Sequence, residues 1–185
     1  MSACCRVQVE LPPSLAAGGF SLRPEAEADD PFLLDLYESA RASELAMLAG
    51  WTSEQRRAFI SQQFHAQRHH YRERLVNCRF DVIERENEPV GRLYTQETPS
   101  QLRIIDIALI PVLRGQGFGT SILRHLLAGA DAAGLPVGLF VEPGNPASRL
   151  YRRLGFLTVA ELDFYTEMER PCESRTVRET EPAPL

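Results

Sequence analysis

A glycine-rich turn between an apolar run and a leucine-rich segment limits the folds open to this chain more than any other feature. Residues 102–110, LRIIDIALI, are almost continuously apolar and β-branched, which predicts a strand buried on both faces. Residues 117–133 then have helical spacing, with Gly134 as a stop signal. A second apolar run, VGLFVE at 137–142, predicts another buried strand. This order predicts one parallel crossover between residues 102 and 142.

The three glycines, Gly115, Gly117 and Gly119, stand where that helix is about to begin. A helix N-terminus carries unpaired backbone N–H groups and a partial positive charge, and glycines let a phosphate oxygen approach them closely. An ordinary glycine-rich turn is the alternative interpretation. The stretch lacks the Gly-Lys-Ser/Thr of a phosphate-binding P-loop, and Thr120 replaces the third glycine of a dinucleotide fingerprint. The pattern therefore predicts an anion site without naming the anion.

The other segments alternate between strand and helix signals. Asp30-Pro31 predicts a helix start, and Thr52 to Gln55 form a capping box before a second helix. Further strands are predicted at 20–24, 79–85, 90–96, TVAEL and FYTEME, with a hairpin turn at 86–89 and a short helix at 145–155. The predicted fold class is α/β, with a mixed, mostly antiparallel central sheet flanked by helices.

Composition fits one globular domain at 19–170, between an N-terminal tail at 1–18 and a flexible C-terminal tail at 171–185. The net charge of −5 gives no reason to expect nucleic acid or an anionic membrane as a partner. No apolar run approaches the roughly 20 residues that span a bilayer. Four cysteines without a CxxC pair indicate reduced thiols, so we expect a cytoplasmic protein.

Two motifs in this order resemble the GNAT superfamily of N-acyltransferases. The first is Arg114-Gly115-Gln116-Gly117-Phe118-Gly119, which follows Leu109-Ile110-Pro111 and precedes an amphipathic helix. The second is NPASRLYRRLGF at 145–156. The motifs cover residues 102–156, and the element order extends the likeness weakly over about 20–170. The resemblance implies a GNAT-like fold and an acetyl-CoA-dependent N-acetyltransferase.

The resemblance also implies where acetyl-CoA, the acyl donor, would bind. Its pyrophosphate would lie on the backbone amides of six residues: Gly115, Gln116, Gly117, Phe118, Gly119 and Thr120. Its pantetheine would run between residues 102–110 and 137–142, with main-chain hydrogen bonds from Leu109 and Ile110. Arg114 would either anchor the loop or contact a phosphate. Asn145 would bond the pantetheine or cap the next helix, and these roles are compatible. No metal is implied.

Tyr151 stands where the family often has its general acid. A phenol, with a pKa near ~10, can hydrogen-bond to or protonate a leaving thiolate whose pKa is near ~8.5. Simple packing of the ring is the alternative, and Ser148 would either hold the hydroxyl or serve only the helix. Asp106 and Glu142 are the carboxylate candidates for the base. Otherwise they are polar strand residues or bind a cationic substrate, and water takes the proton.

The acceptor pocket is expected near the junction of the first two helices, where the family usually builds it. The nearby candidates are Glu38, Arg41, Glu44, Trp51, Arg92 and Tyr94. The acidic members of this region, with Asp106 and Glu142, suggest a cationic amine as acceptor. His65 and His69 fall at i and i+4 of a helix but lack an acidic partner at a zinc-protease spacing, so a solvated face is favoured over a metal site.

The sequence thus predicts transfer of an acetyl group from acetyl-CoA to a primary amine by direct attack. Transfer of another acyl group, or a CoA-binding regulatory module without catalysis, are the alternatives. The partners are acetyl-CoA and an amine acceptor, without nucleic acid or membrane, and a homodimer remains open.

Overall fold

The structure, a computed structural model, describes residues 7–47 and 50–173, apart from the side chain of Ser43. The helices are α1 Pro13–Ala17, α2 Asp30–Ala40, α3 Ala42–Ala46, α4 Ser53–Arg74, α5 Phe118–Ala132 and α6 Ser148–Arg153. The strands are β1 Phe20–Pro24, β2 Cys78–Arg85, β3 Glu88–Glu97, β4 Leu102–Leu109, β5 Val137–Val141, β6 Leu157–Glu161 and β7 Thr166–Arg170. Short 3₁₀ turns occupy Glu27–Asp29 and Pro111–Leu113.

Within the described residues the strands form one sheet in the order β1-β2-β3-β4-β5-β7-β6. Every neighbouring pair is antiparallel except β4 and β5, which are parallel and joined through α5. The predicted fold class and the single parallel crossover are therefore confirmed. The β2–β3 hairpin closes through Glu86 and Asn87, both with positive φ, as the turn signal at 86–89 predicted.

Helices cover the two faces of the sheet. On one face α5 buries Ile122, Leu123, Leu126, Leu127 and Ala130, the five residues that the helical spacing assigned to its inner side. The opposite face carries α2, α3 and α4, whose cluster is formed by Leu33, Tyr37, Leu45, Ile60 and Phe64. The predicted capping box starts α4: the Thr52 hydroxyl accepts from the Gln55 amide, and the Gln55 side chain accepts from the Thr52 amide.

The strand β4 is less buried than its sequence predicts. Leu102, Ile104 and Leu109 are buried, but residues 105–108 between them are partly exposed. The reason is that β5 pairs with β4 only from Leu102 to Ile104 and then diverges. Phe140 on β5 is 39% exposed as well, so the prediction of two fully buried central strands is wrong at the place where they separate.

Two segments differ from the sequence expectation near the ends of the domain. Val7, Val9 and Leu15 are buried in the α5 core, so residues 7–17 pack on the domain although residues 1–18 were expected to be a tail. The helix expected to continue to Gly50 breaks at Arg41, where φ is −106° and ψ is 16°. Cys172 is buried, and residues 174–185 of the expected C-terminal tail lie outside the described residues.

Candidate active site

The glycine loop before α5 has the backbone shape that its sequence predicts. Gly115 has φ +74° and Gly117 has φ +89°, a left-handed conformation that side chains with a Cβ rarely adopt. Gly117 is the N-cap residue of α5 and provides no side-chain cap. Among the described residues, and apart from the adjoining residues of the chain, no atom lies within 4 Å of the position that a Cβ would take at Gly115 or Gly117. The loop therefore leaves open space directly beside its backbone.

The first turn of α5 leaves its amides free. Ser121 is the first residue whose N–H bonds back along the helix, to the Gly117 carbonyl at 2.9 Å. Within the described residues, the N–H groups of Phe118, Gly119 and Thr120 have no hydrogen-bond partner. No acidic residue lies in this turn, so nothing in it neutralises the positive end of the helix dipole. These amides and the open space beside them form a cradle for an anion.

The side chains of the loop are turned away from the cradle. Phe118 packs its ring on Phe20, with the centroids 5.1 Å apart. Gln116 donates from its side-chain amide to the Val112 carbonyl at 2.5 Å. Gln116 and Phe118 can therefore offer a ligand their backbone groups but not their side chains.

Arg114 ties the loop to the rest of the domain. Its Nε donates to the Leu109 carbonyl at 2.7 Å, and its two terminal nitrogens donate to the carbonyl and hydroxyl of Ser39 at 3.0 and 2.6 Å. Ser39 lies near the end of α2, so one guanidinium joins the loop, β4 and α2. Of the two roles expected for Arg114, this geometry corresponds to anchoring the loop.

The divergence of β4 and β5 exposes backbone groups beside the loop. The Ile110 amide donates to the Val90 carbonyl of β3 at 2.9 Å, so Ile110 is not free to bond a ligand through its N–H. Because successive amides of a strand point in opposite directions, the Leu109 amide points away from β3 and toward the gap beside β5. Of the two expected main-chain donors, only Leu109 therefore has an N–H group that is available to a ligand.

Tyr151 lies on α6, with its ring edge-on to Phe156 at 5.8 Å. Its hydroxyl has no hydrogen-bond partner within the described residues. Burial, and next the negative charge of Asp106, raise the pKa of Tyr151 to about 12. The phenol therefore stays protonated throughout the physiological range and has an unused proton to donate.

Asn145 and Ser148 shape the turn into α6. The Asn145 side-chain oxygen accepts from the Ala147 amide at 2.9 Å, and its carbonyl accepts from the Ser148 amide at 3.0 Å. Asn145 therefore stabilises the turn that leads into α6, whereas the N-cap residue of that helix is Ala147, which has no side-chain cap. No hydrogen bond joins the Ser148 hydroxyl to Tyr151 in the described part of the chain.

Asp106 and Glu142 are each held by an arginine. The Asp106 carboxylate accepts a short hydrogen bond from Arg92, whose side chain is only 4% exposed. Glu142 accepts from Arg41 at 3.2 Å, and the Arg41 guanidinium lies 4.0 Å from the Tyr37 ring centroid. Replacing Asp106 by a neutral residue would leave the buried Arg92 charge without its partner, so Asp106 stabilises the fold.

The other carboxylates expected at the acceptor side are also paired. Glu38 bonds Arg57, and Glu44 lies 3.8 Å from Arg41. The four carboxylates from which a cationic acceptor was predicted are therefore each paired with an arginine. Trp51 is 39% exposed and packs edge-on to Phe59 at 5.4 Å.

A buried carboxylate, Glu25, lies deeper on the same face. It accepts from the Tyr94 hydroxyl and forms ion pairs with Arg68 and Arg72, both at 2.6 Å. Its side chain is 3% exposed. The position of Glu25 directly after β1 gave no sequence signal for this network, because its three partners come from α4 and β3.

Tyr71 was not identified from the sequence as a site residue. Burial, and then the charge of Asp106, raise the pKa of Tyr71, with a further contribution from Tyr165. Arg92 and Arg41 act in the opposite direction on Tyr71. Tyr71 fitted the apolar stripe of α4, and Tyr165 fitted a terminal strand. Tyr71 packs edge-on to Tyr94, which is the strand partner of Asp106, so only the fold brings α4 close to Asp106.

Two further observations bear on alternative functions. His65 and His69 are exposed on α4, and residues 7–47 and 50–173 contain no group of three or more metal-ligating side chains. Over the same ranges, none of the helices has both the length and the apolar character needed to cross a bilayer.

Comparisons with known proteins agree with this geometry. The chain's fold is similar to that of PaiA N-acetyltransferase from Thermoplasma acidophilum in complex with coenzyme A, with a TM-score of 0.61 at 14% identity over 82% of this chain and 98% of that one. It is similar to an acetyltransferase from Thermus thermophilus, with a TM-score of 0.58 at 21% identity over 82% and 96% of the two chains.

A third similar structure is the ribosomal-protein-S18-alanine N-acetyltransferase from Escherichia coli, with a TM-score of 0.54 at 18% identity over 83% of this chain and 94% of that one. No curated protein matches the chain in a sequence search. The family model described as Acetyltransferase (GNAT) family matches residues 35–156, which include α5, the diverging strands and Tyr151. The chain therefore belongs to the GNAT family of acetyltransferases.

Proposed function

We propose that the protein transfers the acetyl group of acetyl-CoA to a primary amine by direct attack of the amine nitrogen. One observation carries the proposal: the free amides at the start of α5 adjoin the part of β4 that β5 leaves unpaired. The Leu109 side chain lies 4.0 Å from the Cβ position of Gly119, so the two features meet. An anion cradle beside an exposed strand edge suits a ligand with a charged end and an amide-bearing arm.

The residues present fit acetyl-CoA. The amides of Phe118, Gly119 and Thr120 match the acceptor oxygens of a pyrophosphate, and open space beside Gly117 admits it. The Leu109 N–H suits an amide carbonyl of the pantetheine arm. Acetyl-CoA supplies an acetyl group activated as a thioester, and the chain's residues bind it, orient it and exclude water from it.

We assign Tyr151 the role of hydrogen-bond donor to the leaving sulfur. Complete transfer of its proton, from a pKa of about 12 to a thiolate of about 8.5, would cost about 5 kcal/mol. A hydrogen bond avoids most of that cost while still stabilising negative charge on sulfur. The free hydroxyl of Tyr151 supports this role.

The attacking amine must be neutral. Deprotonating a lysine-like amine near pH 7 costs roughly 4–5 kcal/mol, whereas an α-amine costs about 1–1.5 kcal/mol. We propose that water takes the proton to solvent past Asp106 or Glu142, and that these carboxylates orient the water while they stay paired with their arginines. Since neither carboxylate is unpaired, we favour a weakly basic amine as acceptor.

The proposal is tested by measuring coenzyme A release and acetylated product with purified protein. Acetyl-CoA is offered with four classes of amine: a polyamine, a free amino acid, an aminoglycoside and a peptide with a free N-terminus. The chain contains no lysine, so an acetylated ε-amine in the reaction comes from the acceptor. Product identified by mass spectrometry excludes simple thioester hydrolysis.

We expect turnover with at least one class and the fastest turnover with an α-amine. Tyr151→Phe serves as the matched variant, because it removes one hydroxyl and keeps the ring. Binding of acetyl-CoA without transfer to any class would overturn the enzymatic proposal and favour a CoA-binding regulatory module. Faster transfer from a longer acyl-CoA would show that the transferred group is a longer acyl group and not acetyl.

A further inference from the structure

Arg41 follows α2 directly, at a point that is tied to both sides of the proposed donor site. Two residues before it, Ser39 accepts hydrogen bonds of 3.0 and 2.6 Å from Arg114 of the glycine loop. The Arg41 side chain donates to Glu142, the residue directly after β5, at 3.2 Å. Since β5 has separated from β4 before it reaches Glu142, Arg41 lies at the open end of the gap between the two strands.

The Arg41 guanidinium uses few of its donors. Within the described residues it makes one hydrogen bond, from one terminal nitrogen to Glu142, and its Nε lies 3.8 Å from Glu44. Arg23 and Arg170, in contrast, each make three hydrogen bonds of 2.6 to 2.9 Å to carboxylates. A guanidinium has N–H donors on all three of its nitrogens. Arg41 therefore keeps a terminal nitrogen that can donate to a further anion.

The carboxylates beside Arg41 are more exposed than Arg41 itself. The Arg41 side chain is 16% exposed, against 40% for Glu142 and 53% for Glu44. One side of its guanidinium lies on the buried Tyr37 ring, 4.0 Å from the centroid. Water weakens ion pairs with exposed carboxylates, so the existing pairs do not saturate Arg41. A ligand carboxylate that excludes water from Arg41 would form a stronger, charge-assisted contact.

A second ion pair, between Arg92 and Asp106, lies on the same face of the sheet. The Arg92 guanidinium is 5.9 Å from the centroid of the same Tyr37 ring that Arg41 covers. Each of the two arginines has a carboxylate partner, so the two ion pairs together carry no net charge. A polycation therefore gains little from this surface, whereas a molecule with both an amine and a carboxylate can contact charges of both signs.

We propose that Arg41 binds a carboxylate of the acceptor that lies close to the amine that is acetylated. The inference rests on the proposed function, because it names a second group of the amine acceptor. Two sources can supply this carboxylate: the α-carboxylate of a free amino acid, or an acidic side chain at the start of a peptide. Arg41 is in this way a specificity-determining residue, which binds the acceptor and takes no part in proton transfer.

Pairs of acceptors that differ only in the carboxylate test the inference. In one series each free amino acid is compared with its own amide, and in the other each peptide with N-terminal aspartate or glutamate is compared with its asparagine or glutamine counterpart. Wild-type kcat/KM should be at least about tenfold higher for the carboxylate member in one series, which then identifies the source. A free amino acid is a more basic amine than its amide, so basicity alone would favour the amide.

Variants of Arg41 separate the contact from a structural role. Arg41→Gln should bring the ratio of the two kcat/KM values close to one by raising KM for the carboxylate member, with the KM for acetyl-CoA unchanged. Arg41→Lys keeps the charge but loses the planar fork of donors, so it should retain only part of the preference. Arg57→Gln is the matched control, because Arg57 is paired with Asp35 and Glu38 on the exposed surface of α4. It should leave the ratio unchanged.

A wild-type ratio of one or less in both series would overturn this inference, and turnover of the amides would leave the proposed function standing. Transfer only to acceptors without a carboxylate would have the same meaning. An Arg41→Gln protein that keeps the wild-type ratio would also overturn the inference, as would an equal fall in the ratio for Arg57→Gln. Absence of transfer to every acceptor would overturn the proposed function together with the inference.

Discussion

Removing Asp106 should destabilise the protein more than removing its partner Arg92, because the two side chains differ in exposure. The Arg92 side chain is 4% exposed and that of Asp106 is 22% exposed. Asp106→Leu leaves a charge buried among aromatic rings, and we expect a loss of about 3–5 kcal/mol in the free energy of unfolding. Arg92→Met leaves a carboxylate that water reaches, and we expect a loss of about 1–3 kcal/mol.

The double variant, Arg92→Met with Asp106→Leu, should lie within about 1–2 kcal/mol of wild type, because no charge is left unpaired. Urea denaturation of the four proteins gives the coupling energy, expected to be at least about 2 kcal/mol. The exposed pair Arg57 and Glu38 is the matched control, with an expected coupling below about 1 kcal/mol. Additive single losses at Arg92 and Asp106 would refute the buried-pair argument.

Three further predictions concern turnover, strand packing and pH. Tyr151→Phe should keep the wild-type affinity for acetyl-CoA and lower kcat by about 10- to 100-fold. The pH profile of kcat should not change up to about pH 10, because Tyr151 stays protonated there. A change in kcat of less than twofold would show that Tyr151 only packs its ring. Gly91→Ala would place a Cβ 2.5 Å from the Ala108 carbonyl oxygen and 2.8 Å from a Leu109 methyl. Urea denaturation should show a loss of about 1–3 kcal/mol in the free energy of unfolding, and acetyl-CoA should bind more weakly. Arg23 holds the pKa of Asp29 below its usual value, so the stability that Asp29 contributes is complete at neutral pH and is lost as the pH falls below about 4. The free energy of unfolding of Asp29→Asn should therefore fall less steeply with decreasing pH than that of wild type. Equal slopes for the two proteins would contradict this reasoning.

Local sequence signals were sufficient to predict the elements that form the proposed donor site. The spacing of Ile122, Leu123 and Leu126 predicts which face of α5 is buried, because a helix repeats on a short period that one sequence displays. The alternate glycines predict an open loop, because Gly115 and Gly117 need a left-handed backbone. Both features depend on residues close together in the chain.

Contacts between distant segments were not predictable in the same way. A continuous apolar run on β4 gives no indication that β5 leaves it after Ile104. The charges of Asp106 and Glu142 were visible, but their pairing with Arg92 and Arg41 depends on the registry of separate elements. Val7 and Val9 form too short a stretch to reveal that they pack against α5.

The central claim is that acetyl-CoA binds through the amides at the start of α5, and Gly119→Glu tests it most directly. Gly119 lies within the helix, and its Cβ position is 4.0 Å from the nearest side-chain atom, so a side chain fits without strain. An acidic residue in the first turn of a helix stabilises it, whereas the same charge repels a phosphate. Gln62→Glu, on the exposed surface of α4, gains the same charge elsewhere.

Isothermal titration with acetyl-CoA is the measurement. We expect Gly119→Glu to melt at or above the wild-type temperature and to lose at least about tenfold in acetyl-CoA affinity, since one repulsive contact in place of an attractive one amounts to more than ~1.4 kcal/mol. Gln62→Glu should retain the wild-type affinity. A folded Gly119→Glu protein that binds acetyl-CoA as tightly as wild type would contradict the placement of the donor at α5.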